Sequence, residues 1–195
     1  MPRVLFITHP EVSIDPEVPV AQWGLSPTGL ARMTTFSRAP MLRGVDRLFC
    51  SKETKAIAAA RVLASPWGLV AIEEAALGEN DRTATGFLHR DAFEAAADAF
   101  FAQPLVSWRG WERAVDAQRR VVDTVTRLLR EHPGDGDVAI VSHGAVGTLL
   151  KCHLKGIGIT RREDQPSQGH WYAFATSDGA LMHDWLPLEA ACRAL

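Results

Sequence analysis

Four short apolar runs punctuate the chain, and polar residues close each of them. Val4-Leu5-Phe6-Ile7 stops on Thr8-His9-Pro10, and Val138-Ala139-Ile140-Val141 stops in the same way on Ser142-His143-Gly144. Unbroken apolar runs of this length fit strands buried on both faces of a parallel sheet. Arg47-Leu48-Phe49-Cys50 is a third such strand and Leu69-Val70-Ala71-Ile72 a fourth. Between them the period changes to that of helices. Ser26-Pro27-Thr28-Gly29 predicts a helix start, with Ser26 capping free amides and Pro27 in the first turn, leading to Leu30, Met33 and Phe36. Ser51 opens a helix over 52–63, with Glu53 placed to complement the helix dipole. Phe93, Ala96, Ala97, Phe100 and Phe101 form a packing stripe inside a long excursion over 73–109, read as a cap on the sheet edge. A long helix follows over 112–131, with Val115, Gln118, Val122, Val125 and Leu129 as its apolar face. The proline-bearing stretch 10–25 and the segment 165–169 are loops, the first expected to lie over the site. Residues 171–176 and 181–186, joined by Ser177-Asp178-Gly179, predict an antiparallel hairpin, and 187–195 a short closing helix.

The sum is an α/β fold: a three-layer sandwich with a mostly parallel central sheet, helices on both faces and an antiparallel C-terminal strand or hairpin. At 195 residues the chain fits one domain, spanning 1–195, with the cap excursion at about 73–110. Its net charge of -2 gives no electrostatic attraction to nucleic acid or to an anionic membrane. The pairs Arg119-Arg120 and Arg161-Arg162 read as solvated faces, as do Arg32 and Arg38. Cys50, Cys152 and Cys192 are an odd number without a CxxC, and the start of the chain reads as a strand and not as a signal peptide, which together suit a cytoplasmic location.

What carries chemistry is the repeated ending of a buried strand on a histidine. In a parallel sheet the carboxyl edge is where ligands bind, so His9 and His143 can be delivered to one substrate. Lys55, in the first turn of its helix, leans back toward the same edge. The polar turn Leu77-Gly78-Glu79-Asn80-Asp81-Arg82 leaves the fourth run beside them. Two imidazoles, a lysine, an arginine and a carboxylate, without metal-ligand spacing, are the set a phosphomonoester dianion requires. A neutral imidazole attacks phosphorus if its other nitrogen donates to a fixed acceptor. Trp23, Phe87 and Trp108 either line the pocket or pack in the core or cap.

The ordered motifs resemble the histidine phosphatase superfamily, the phosphoglycerate mutase-like proteins, from Val4 to about Leu154. The family's Leu-Ser-x-x-Gly stands as Leu25-Ser26-Pro27-Thr28-Gly29, its Ser-x-x-x-Arg-Ala as Ser51 to Ala56, and its Ser-His-Gly as Ser142-His143-Gly144. Its Arg-His-Gly is replaced by Thr8-His9-Pro10, and Lys55 takes the position of its second arginine. The resemblance implies a phosphatase that needs no cofactor and no metal. It assigns His9 as the phosphorylated nucleophile, Glu79 as acid and then base (Glu73 and Glu74 remaining alternatives), and His143 beside them. Lys55, Arg82, Ser51 and Thr8 would bind phosphate, with Arg82 standing in for the lost arginine unless it pairs with Asp81. The expected partner is a small phosphorylated molecule, with no nucleic acid or membrane, and homo-oligomerisation is left open. A non-catalytic phosphate-binding or regulatory protein is the alternative, favoured by the changes at Thr8 and Lys55. A phosphomutase shares every residue named.

Overall fold

The computed structural model describes residues 2–192. Six strands form one sheet: β1 (Arg3–Thr8), β2 (Val45–Cys50), β3 (Ala71–Glu73), β4 (Asp137–Ser142), β5 (His170–Ala175) and β6 (Leu186–Pro187). Their order is β3-β2-β4-β1-β5-β6, with the first four parallel and β5 antiparallel to both β1 and β6. β1 and β4 are central, and Val4 to Ile7 and Val138 to Val141 are fully buried.

The two-residue period of the strands divides the core. Leu5, Ile7, Ala139 and Val141 face α1 (Pro27–Phe36) and α2 (Thr54–Ala64), meeting Met33, Phe36, Ala59 and Leu63. Val4, Phe6, Val138 and Ile140 face α4 (Ala114–Glu131) and α5 (Gly144–Leu154), meeting Val121, Val125, Leu128, Val146 and Leu150. A third cluster seats α3 (Arg90–Ala102) through Ala96, Phe100 and Phe101 on Trp111, Ala114, Ala117 and Leu149. The excursion is therefore packed on α4 and α5. No helix among the described residues is long and apolar enough to cross a membrane.

Ser26 caps α1 as its sequence predicts, accepting from the Gly29 amide at 3.1 Å, a contact worth about 1 kcal/mol. Other expectations are corrected. β3 begins at Ala71 because Gly68 takes a left-handed φ of 65° and the Leu69 amide turns back to the Ala64 carbonyl, leaving Val70 81% exposed. α2 begins at Thr54, so Glu53 is the residue before the helix. α4 buries Ala114, Ala117, Val121, Thr124, Val125 and Leu128, so of the expected face Val125 is buried and Val122 and Leu129 flank the core, while its centre lies on the small side chains beside them. The hairpin pairs, but its return leg is only the Phe174–Leu181 bridge and β6. The closing helix is a short tight turn over Leu188–Cys192, and its last expected residues lie outside those described. Arg32 does not face water: it bonds Glu11, Glu189 and the carbonyls of Gln168 and Gly169, tying α1 to two loops.

Candidate active site

The carboxyl ends of β1, β4, β2 and β3 deliver their loops to one edge. There the ladder runs one residue beyond the strands: the His9 amide donates to Ser142 O at 3.1 Å and the Ser51 amide to Val141 O at 3.0 Å. On its other side the His9 carbonyl accepts from the Gly169 amide at 3.1 Å, so the backbone of this histidine is held from both neighbours.

The His9 ring lines a cavity of about 360 Å³. Its Nδ1 lies 2.8 Å from the Pro10 carbonyl, which can only accept, so Nδ1 carries the proton and Nε2 is bare. Burial lowers its pKa to about 4, against the raising influence of that carbonyl, and the ring is neutral at ordinary pH. His143 stands 5.2 Å away, centroid to centroid, at 68°.

His143 itself is fully buried and lies outside the cavity wall. Its Nε2 is 2.8 Å from Ser51 Oγ and 3.3 Å from Glu53 Oε1. Nδ1 of His143 has no hydrogen-bond partner. Burial lowers the His143 pKa, opposed by Glu53. Burial would raise Glu53, yet His143 and Lys55 outweigh it and hold its carboxyl down at about 2. Glu53 is also bonded to Lys55 Nζ and accepts from the Glu79 amide at 2.9 Å. It joins the loop that carries His143 to the loop that carries Glu79. Lys55 lines the cavity, but its ammonium is already shared between Glu53 and the Val20 carbonyl, 2.9 Å away.

Glu79 also lines the cavity. Its two carboxyl oxygens accept from the Ala145 and Val146 amides at 3.2 and 3.1 Å, at the start of α5. Loss of solvent raises its pKa, with Glu53 adding to the rise, while Arg82 and the two amides pull against it. Glu73 and Glu74 do not line this cavity. Glu73 is exposed on β3, and Glu74 caps the turn that follows and pairs with Arg127 at 2.5 Å. Arg82 reaches the cavity with its guanidinium 5.0 Å from the Phe93 centroid. It does not pair with Asp81, whose carboxylate accepts from Thr83 instead.

The structure thus brings His9, Glu79, Lys55 and Arg82 to one cavity and keeps His143, Ser51 and Thr8 behind it. Thr8 is fully buried, with its hydroxyl 2.7 Å from Gln165 Oε1 and 3.0 Å from the His170 amide that donates to it. Gln165 therefore lines the cavity where Thr8 was expected to. Of the aromatic candidates, Trp23 lines the cavity and Trp108 packs edge-on against Trp111.

Arg120 was missed, having been read as a solvated arginine. It donates to the carbonyls of Ala76, Gly78 and Glu79 at 2.8, 2.9 and 3.2 Å and pairs with Glu112 at 2.7 Å, gripping the loop that carries Glu79. Its position between Ala117 and Thr124 on the buried stripe was the available signal. Arg120→Met is expected to cost about 1–3 kcal/mol in urea denaturation, because three acceptors and a carboxylate lose their donor at a partly exposed site. It should also lower kcat more than it changes KM, since Glu79 loses its fixed position. An unchanged midpoint would show that other contacts hold the loop.

Solved structures share this architecture. Bacillus stearothermophilus YhfR superposes with a TM-score of 0.79 at 18% identity, covering 94% of this chain and 95% of that one. The alpha-ribazole phosphatase from Shigella flexneri gives 0.76 at 20%, over 94% and 95%. A mycobacterial glucosyl-3-phosphoglycerate phosphatase in complex with inorganic phosphate gives 0.73 at 19%, over 95% of each. At such identities the likeness is one of fold. A search of curated proteins finds no match. The family model described as histidine phosphatase superfamily (branch 1) matches residues 18–180, most of the chain and three of the elements that build the cavity edge. With this match over most of its length and a fold in agreement, the chain belongs to the histidine phosphatase superfamily.

Proposed function

We propose that the chain is a metal-independent phosphomonoesterase acting through a phosphohistidine on His9. The observation that carries this reading is the His9–Pro10 bond, which fixes a neutral imidazole with a bare Nε2 at the wall of a cavity that also holds Glu79. Nε2 attacks phosphorus and the ester P–O bond breaks, with Glu79 giving its proton to the departing oxygen. Water then attacks the phosphohistidine, Glu79 takes back a proton, and inorganic phosphate leaves with His9 restored. Arg82 and Lys55 neutralise the phosphoryl oxygens, and the Gln165 amide adds a donor. Phosphatases among the structural neighbours support the same chemistry.

The competing reading is a protein that binds a phosphate ligand without turning it over. It is favoured by the engagement of Lys55 with Glu53 and Val20, and of Thr8 with Gln165. One experiment separates the two. Purified protein is incubated with p-nitrophenyl phosphate in EDTA, and the phosphate retained on protein is assayed after acid and after alkaline quenching. Phosphate release with a label that survives alkali and is lost in acid is expected. Absence of release and label, in folded protein that binds inorganic phosphate, would favour the binding reading.

A further inference from the structure

The space at His9 continues beyond the reacting atoms. A second cavity of about 380 Å³ adjoins the first, and Val20, Trp23, Arg82, Phe93 and Trp111 are walls of both. Ile14, Phe87 and Leu88 complete its apolar lining. Trp23 and Phe87 lie 5.6 Å apart at 58°, presenting two tilted aromatic faces from separate loops. Ile14, 63% exposed, is an apolar side chain on the wall of this space.

The polar atoms of these rings are already committed. The indole N–H of Trp23 donates to the carbonyls of Asp15 and Val18 at 2.9 and 3.0 Å, and that of Trp111 to Thr85 Oγ1 at 2.8 Å. What the two indoles offer a ligand is therefore carbon and π surface. Polar wall is supplied by Arg82, Arg90, Glu94 and Gln168, and Glu94 is already paired with Arg161. A hydroxyl-rich group laid against the carbon surface of Trp23 and Phe87 would lose water without gaining partners from them, whereas an aromatic ring would gain stacking and burial. Arg82, resting on Phe93, stands at the junction and can meet phosphate on one side while its flat face borders the apolar space.

We propose that the substrate is a phosphomonoester of an apolar, ring-bearing alcohol, with its phosphate at His9 and its ring against Trp23 and Phe87. The assignment of the phosphate end rests on the phosphatase reading; the ring end does not. Two pairs of probes keep them apart. The first is 2-naphthylmethylphosphonate against methylphosphonate, neither hydrolysable, titrated by calorimetry. The second is 2-(2-naphthyl)ethyl phosphate against ethyl phosphate, alkyl esters of like intrinsic reactivity, compared by kcat/KM. The naphthyl member of each pair is expected to be favoured by at least about tenfold, from burial of one ring. Phe87→Ala should remove most of that preference, and Ile14→Ser, a change at an exposed position, should reduce it. Equal affinity within the phosphonate pair, or a preference indifferent to both substitutions, overturns the proposal. A naphthyl preference in binding with no turnover of either ester upholds the ring site and overturns the catalytic reading; turnover without preference does the reverse.

Discussion

Replacement of His9 by alanine is expected to lower turnover of any phosphomonoester by about 10⁴-fold or more and to abolish the acid-labile protein label. The size follows from the kind of group removed. Arg82, Lys55 and Gln165 can still hold a phosphate in the variant, but no other imidazole can take over, because His143 lies behind the cavity wall with its Nε2 engaged by Ser51 and Glu53. Loss of the ring also leaves a void beneath the loop, so a second variant guards against a folding defect. In His9→Asn the side-chain amide can replace Nδ1 as donor to the Pro10 carbonyl while offering no nucleophile. Both variants should retain the thermal unfolding profile of a folded protein. Labelling in His9→Asn would place the phosphoryl group elsewhere and sink the assignment.

The second large effect is at Glu79. Its raised pKa keeps the carboxyl protonated beyond the ordinary carboxylate range, which suits a proton donor. Glu79→Gln is expected to slow alkyl phosphates by about 10²–10⁴-fold, and p-nitrophenyl phosphate less, since p-nitrophenolate departs without a proton. The pH dependence of kcat/KM supplies a separate check. His9 must be neutral, so activity is lost as pH falls through about 4. Glu79 must be protonated for the first step, so activity is lost as pH rises through its raised value. The expected native profile is a bell whose acid limb lies near 4 and whose alkaline limb lies above the ordinary carboxylate range, and Glu79→Gln should flatten that alkaline limb while leaving the acid limb in place. An alkaline limb unchanged in the variant would assign that titration, and the proton, to another group.

The strands were legible in the sequence because burial on both faces writes them as unbroken apolar runs, and the Ser26 cap because its chemistry is local. The convergence of His9 with Glu79 at one edge follows from the parallel arrangement those runs imply, whereas the strand order does not, since apolar runs set direction and burial but not which strand lies beside which. The rest was lost to reach and to company. Arg32 and Arg120 are long side chains whose heads bond residues far along the chain, and periodicity reads where a side chain starts, not where it ends. Lys55 was found as a cation, but Glu53, two residues earlier, alters what that cation can do, and the dipole argument used for Glu53 concealed it. Thr8 points to a residue 157 positions away. The face of α4 was read in part: Val125 was found, but small Ala and Thr side chains, which fit close helix packing, carry little hydrophobic signal.

The surroundings of Thr8 also bear on how such a chain changes over generations. The Thr8 hydroxyl is tied to Gln165, and Gln165 in turn lies so near Gly144 that a Cβ there would come within 2.5 Å of its amide nitrogen. An arginine at position 8, as the superfamily pattern has it, needs the room this amide fills and forfeits the bond accepted from the His170 amide. A single-step return to arginine would thus bury a charge without a partner. An arginine at position 8 is therefore expected to be tolerated only together with a change at Gln165, so the two positions act as a coupled pair, each holding the other in place.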